Sequence, residues 1–270
     1  MEMTNKIKFK HQTFCERLKS MLKVDFRRMF TSSLFYIMAG VCLVVPILIV
    51  VMTTMMDGTV SVDPNTGAET VIEAFDNVWQ TIGSVSGEGS AMSMDLTGMC
   101  NINLVYFFAA VFICIFISDD FRSGYAKNLF TVRANKGDYV ASKTIVGFIG
   151  GAFMLIAFFL GSMLGGAISG LPFDTPAGTS GIVMCMISKI FLLAVFVSIY
   201  VLASVIGKQK LWQSLVGSLM IGMLFFMMIP MLIPLDAGMM NVLLSLVGGA
   251  LFAFGLGSAS NHILKKTSLV

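Results

Sequence analysis

Few side chains in this chain of 270 residues stand where they could do chemistry. Lys189 is the single full charge inside the long apolar runs, and an ionisable group at such depth is a functional candidate by default. It invites two readings: a contact on a substrate path, or a structural lysine. In the second, its ammonium snorkels to the interface or pairs with Asp174 or Asp236. Asn101 and Asn103 stand at the same end of a neighbouring run, where their amides either face that path or bond between helices. His11 and His262 are isolated from Cys, Asp and Glu, so no metal site is expected. There is no GxSxG elbow, no buried aspartate pair and no GxxxxGK[ST] phosphate loop. The chain is therefore expected not to be an enzyme and to hold no cofactor of its own.

The elements that must position these residues are apolar. Mean hydropathy is +0.86, with 56% hydrophobic and 12% charged residues, where a soluble domain has about 25% charged. Six runs, 33–56, 99–118, 144–169, 181–206, 211–234 and 239–260, are each long enough to cross a hydrocarbon core of about 30 Å. Seventeen of the 18 Lys and Arg residues fall in the first, third, fifth and seventh of the segments these runs separate. The even connections, 57–98, 171–180 and 235–238, hold nine acidic residues and no basic one. Insertion keeps Lys and Arg on the cytoplasmic side of short loops. The expected fold is an all-α integral membrane protein of one domain, 1–270. It has six transmembrane helices, both termini in the cytoplasm, and an uncleaved first span. The basic balance is explained by topology and anionic lipid, so nucleic acid is not an expected partner.

The arm 1–32 ends in an amphipathic pattern. Phe14, Leu18, Met21, Leu22, Phe26, Met29 and Phe30 recur at helical spacing, opposite Arg17, Lys19, Lys23, Arg27 and Arg28. This predicts a helix lying in the headgroup layer before the first span. In the outer loop, Val71, Ile72, Phe75, Val78, Trp79 and Ile82 predict a second helix with Trp79 at the membrane surface, either a plain interfacial helix or a lid over an export path. Glycines 147 and 151, 161 and 165, and 166 and 170 are spaced for close helix approach, as are Ser245, Gly249, Ala253 and Gly257. They serve either packing within the bundle or dimerisation. Pro230 and Pro234 break the outer end of the fifth span, as a short re-entrant element or a plain helix end. A Cys100–Cys185 disulfide is open; buried free thiols are the default.

The longest inner connection, 119–143, is expected to be a partly helical cytoplasmic loop that offers a docking surface. Asp120, Gly124, Lys127, Leu129, Arg133, Tyr139 and Lys143 follow in an order that resembles the permease subunits of bacterial type-2 ABC exporters. The arm helix, the six spans and the broken fifth span are similar to that family too, although Thr131-Val132 stand where many members have a Pro before the Arg.

The resemblance implies a coupling role for 119–143 and for the helix bearing Phe14, Leu18, Leu22, Phe26, Arg27 and Arg28. Their partner would be a cytoplasmic ATP-binding subunit that holds ATP and Mg. It further implies a second permease copy or a sister chain, a bacterial plasma-membrane location, and export of a peptide, drug or other amphipathic cargo. The alternatives are an ATP-independent carrier or channel, and a membrane scaffold or sensor.

Overall fold

The structure, a computed structural model, describes residues 13–62, 69–71, 74–83, 101–132, 135–174, 177–226 and 233–266. The described residues are helical apart from loops, one 3-10 turn and one small hairpin. Helix α1 (Phe14–Thr31) is followed by α2 (Ser33–Met55). Strands β1 (Val60–Val62) and β2 (Glu69–Val71) pair antiparallel, with Val60 opposite Val71. Then come α3 (Leu104–Arg122), α4 (Tyr125–Val132), α5 (Lys136–Ser169), α6 (Gly178–Gly207), α7 (Leu211–Phe226) and α8 (Met239–Lys266). Five of these helices, α2, α3, α5, α6 and α8, are long and apolar enough to cross a membrane.

Local chemistry explains where these helices begin and end. Thr13 and Glu16 close a capping box at the start of α1: the Thr13 hydroxyl accepts from the Glu16 N–H, and the Glu16 carboxylate accepts from the Thr13 N–H. Such a cap is worth about 1 kcal/mol. Ser32 then adopts extended backbone, which turns the chain from α1 into α2. Gly170 takes the left-handed conformation that stops α5.

At about 1.5 Å per residue, the 34 residues of α5 reach roughly 51 Å. That exceeds a hydrocarbon core of about 30 Å, so part of α5 projects beyond it. The Arg17–Asp138 ion pair identifies the projecting N-terminal part as the end of the bundle where α1 lies. We call this the α1 end and the opposite one the far end.

Helices α3 and α6 are the most buried of the five, and α8 the least. The broadest contacts are between α6 and α8 and between α2 and α5. The small residues make these approaches possible. A Cβ on Gly161 would strike the Leu43 carbonyl and Pro46, and one on Gly165 would come within 3.0 Å of the Ile47 Cα. Gly151 receives Leu193, and a Cβ on Gly249 would come within 2.8 Å of the Phe191 carbonyl oxygen. These glycines serve packing within one bundle, as the first reading of their spacing holds. Gly257 is open instead, with nothing within 4 Å of an added Cβ.

Several sequence expectations change. The segment 119–143 is helical over more of its length than the expected partly helical loop: α3 runs on to Arg122, α4 fills the middle and α5 begins at Lys136. Residues 74–83 form no α-helix, only a 3-10 turn at Val78–Thr81. There Phe75, Val78, Trp79 and Ile82 are buried. Trp79 is buried within the protein rather than presented on its surface. Its ring packs between Phe159 and Phe173, and its indole N–H donates to the Phe173 carbonyl at 3.1 Å. Burial against the α5 terminus outweighs the periodicity, since extended backbone brings the same apolar side chains inward. Of the expected fifth span, 211–234, the described helix ends at Phe226 and residues 227–232, with Pro230, lie outside the described residues. Beyond them Ile233, Leu235 and Ala237 are buried without being helical.

Candidate functional site

The sequence order that drew attention to 119–143 brings together a buried ion cluster at the α1 end. Lys143, about two turns into α5, projects its ammonium between two carboxylates. It lies 2.8 Å from Asp25 Oδ1 and 2.7 Å from Asp120 Oδ2. The Arg28 guanidinium lies 2.6 Å from Asp120 Oδ1 and 3.8 Å from Asp25 Oδ1. The Tyr139 hydroxyl donates to Asp120 Oδ2 at 3.0 Å, and the Ser142 hydroxyl donates to Asp25 Oδ2 at 2.6 Å. Two cations thus meet two anions, and neutral hydroxyls take up further acceptor capacity.

Aromatic faces complete the enclosure. The Lys143 ammonium stands 4.3 Å from the Phe116 ring centre, and the Arg28 guanidinium 4.4 Å from that of Tyr125. Such faces attract a cation most strongly where water is excluded. Burial opposes the Arg28 charge, yet Asp120 and then Asp25 outweigh it, and its pKa is raised. A buried charge set of this kind is tolerable only with full pairing. The chemistry available to it is mechanical: it fastens α1 to the neighbouring ends of α3 and α5. The Arg17–Asp138 pair, 2.8 Å apart, fastens α1 to α5 a second time.

The expected site residues divide around this cluster. Asp120, Tyr139 and Lys143 are buried in it rather than presented on the surface. Gly124 (φ +75°) makes the left-handed turn from α3 into α4, a conformation that costs a side-chain-bearing residue energy. Lys127 on α4 is exposed, in a polar face with Arg122, Ser123, Asn128 and Thr131, while Ala126 is buried and Leu129 and Phe130 pack on the core. Arg133 lies outside the described residues.

Along α1, Arg28 joins the cluster and Arg27 is exposed. Leu22 and Phe26 pack partly on the core, Leu18 is half-buried, and Phe14 and Phe30 are exposed. The stripe that buries fully is Met21, Asp25 and Met29. Asp25 was missed in the sequence, although the spacing held the signal: an acid four residues from each of two methionines lies on the inward face.

At the far end, Lys189 on α6 is buried rather than snorkelling, and its ammonium donates to Asn103 Oδ1 at 2.8 Å. This partner is an amide of the next helix, not Asp174 or Asp236. Asn103 is in turn oriented by Asn101, whose Oδ1 accepts the Asn103 backbone N–H at 2.9 Å. Tyr106 donates its hydroxyl to the Lys189 carbonyl at 2.9 Å and stacks on Phe196. Above them the 74–83 segment is tied down by Ile102 N–H to the Thr81 carbonyl at 2.8 Å, and Gly83 packs against Leu235. Cys185, one turn before Lys189, is a free buried thiol; Cys100 lies outside the described residues.

Among the described residues no group of His, Cys, Asp and Glu could hold a metal ion. No protein-family model matches the chain, and neither a characterised protein nor a solved structure is significantly similar to it.

Proposed function

We propose that this chain is the membrane-spanning permease subunit of an ABC-type exporter, driven by a separate ATPase that binds ATP and Mg. The observation that supports this reading best is the short helix α4, slung between α3 and α5 with one polar face outward. The buried Asp25–Arg28–Asp120–Lys143 cluster locks its flanks to α1. A force applied to α4 reaches two long apolar helices and α1 together, which is what a coupling element has to do. In this reading the α1 end is cytoplasmic and the chain spans six times, with α7 lying in the expected fifth span, 211–234. The exposed apolar residues Phe14 and Phe30 let α1 rest in the inner headgroup layer. The working unit contains two permeases, identical or sister chains, in a bacterial plasma membrane. Its cargo is a peptide, drug or other amphipathic molecule leaving on the acidic side.

The test is affinity purification of the tagged chain from its native membrane. A nucleotide-binding subunit should be retained, and Lys127→Glu on the exposed face of α4 should reduce its recovery about tenfold while leaving the chain folded. Recovery of no nucleotide-binding protein, or recovery indifferent to Lys127→Glu and Gly124→Val, rejects the coupling reading. An ATP-independent carrier is the reading that Lys189 favours. It requires the purified chain alone to move cargo across liposomes.

A further inference from the structure

Away from both sites, a cavity of about 370 Å³ opens between α6, α7 and α8, within the size range of about 300–1,000 Å³ usual for small-ligand sites. Leu202, Ile206, Gly217, Ile221 and Leu256 line it. At one end it is lined by Phe225 and Phe252, whose rings meet edge to face at 6.0 Å. Its other end reaches Gly207 and Gln213, on either side of the α6–α7 turn. From Phe225 to Gln213 is twelve residues of helix, a slot of about 18 Å, long, narrow and apolar. An exposed apolar surface is ordinary on a helix bundle that meets lipid; a concave one of this length, lined by three helices, is not.

What stands at the mouth is charged. The turn itself is Gly207-Lys208-Gln209-Lys210, and Lys208 is the one described non-glycine residue with positive φ, +50°. Helix α8 runs parallel to α6 and ends at the same α1 end, with Lys265 and Lys266 exposed. Neither the turn through Gln213 nor the last ten residues of α8 contains an acid. The turn leads directly into the N-terminus of α7, whose first amides also favour an anion. Trp212, 76% exposed beside the mouth, has the amphipathic ring that settles at the headgroup level. A basic, Trp-marked rim at headgroup height above an apolar slot matches one kind of molecule.

We propose that this cavity is a binding site for an anionic glycerophospholipid of the surrounding bilayer. One acyl chain fills the slot as far as the Phe225–Phe252 pair, and the phosphate is held at the rim by Lys208 and Lys210, with Lys265 and Lys266 adding field. The inference needs a membrane around the bundle but neither the ATPase nor an export cargo, so it stands or falls separately from the function proposed above.

The test is native mass spectrometry of the delipidated full chain titrated with phosphatidylglycerol or phosphatidylcholine of equal chain length. The wild type should retain one phosphatidylglycerol in preference to phosphatidylcholine. Lys208→Ala with Lys210→Ala should erase most of that preference, at about fivefold per lysine. Gly217→Leu should displace the chain of either lipid. An added Cβ there meets nothing within 4 Å, and leucine favours a helix over glycine, so this variant fills the slot without unfolding the protein. Ala203→Phe, from α6, checks the same slot from the opposite wall. Equal retention of the two lipids by the wild type overturns the proposal, as does a Gly217→Leu chain that binds phosphatidylglycerol as before.

Discussion

Lys143 and Lys189 are both almost fully excluded from solvent, one on α5 toward the α1 end and the other on α6 toward the far end. Their surroundings differ in kind. Lys143 faces two carboxylates within 2.8 Å and an aromatic ring at 4.3 Å. Lys189 is met by the neutral Asn103 amide, and among the described residues no ion pair includes it. The first is part of a neutral assembly in which every member needs the others. The second is a charge held at a cost, by one dipole, under a lid of apolar side chains. A paired buried lysine belongs to the frame; one that is poorly paired adds little to it.

That contrast can be broken experimentally. Lys143→Met leaves Asp25 and Asp120 facing each other with Arg28 alone, and removal of one member of a buried ion set costs about 3–5 kcal/mol. Thermal unfolding in detergent should show Tm falling by roughly 10 °C; an unchanged Tm would mean that the cluster does not hold α1. Asn103→Leu should cost about 1–3 kcal/mol by stranding the Lys189 ammonium. Adding Lys189→Met to it should recover that loss, because the pair is then replaced by apolar groups of similar size. If Lys189→Met alone destabilises as much as Lys143→Met, the two lysines are not different in kind. The smallest effect is expected for Arg17→Ala at the rim, where Arg17 is 22% exposed, at about 0.5–1 kcal/mol. A limited-proteolysis comparison should show α1 loosened but still attached through Asp25 and Arg28.

The apolar helices were legible because their signal is additive: twenty or so apolar residues outweigh any one exception. The glycine spacings in α5 were legible for the same reason, since Gly161 and Gly165 sit on one helical face wherever the neighbour lies. The ion cluster was legible by halves. Asp120, Tyr139 and Lys143 stood out as an ordered set, but their burial did not, because Asp25, one of the cluster's two carboxylates, comes from 95 positions before Asp120 in the chain. Long-range pairing has no local signature. The 71–82 stretch misled through a real property: Phe75, Val78, Trp79 and Ile82 are all buried, though Val71 is exposed in β2, and a 3-10 turn with extended backbone buries those four as well as an α-helix would. The Lys189–Asn103 bond joins two helices whose relative depth no sequence pattern reports.

Helix α5 touches nearly everything discussed above. Its first turns hold Asp138, Tyr139, Ser142 and Lys143, its middle receives α2 at Gly161, and its last turns meet Val78 of the far-end cap at Gly166. An unbroken helix of that length behaves as a lever arm. A tilt of about 5° about one end displaces the other by about 4 Å over its ~51 Å, more than a hydrogen bond can stretch. The fastening at the α1 end and the seal over Lys189 are therefore not independent latches, because tilting α5 enough to release one shifts the seat of the other.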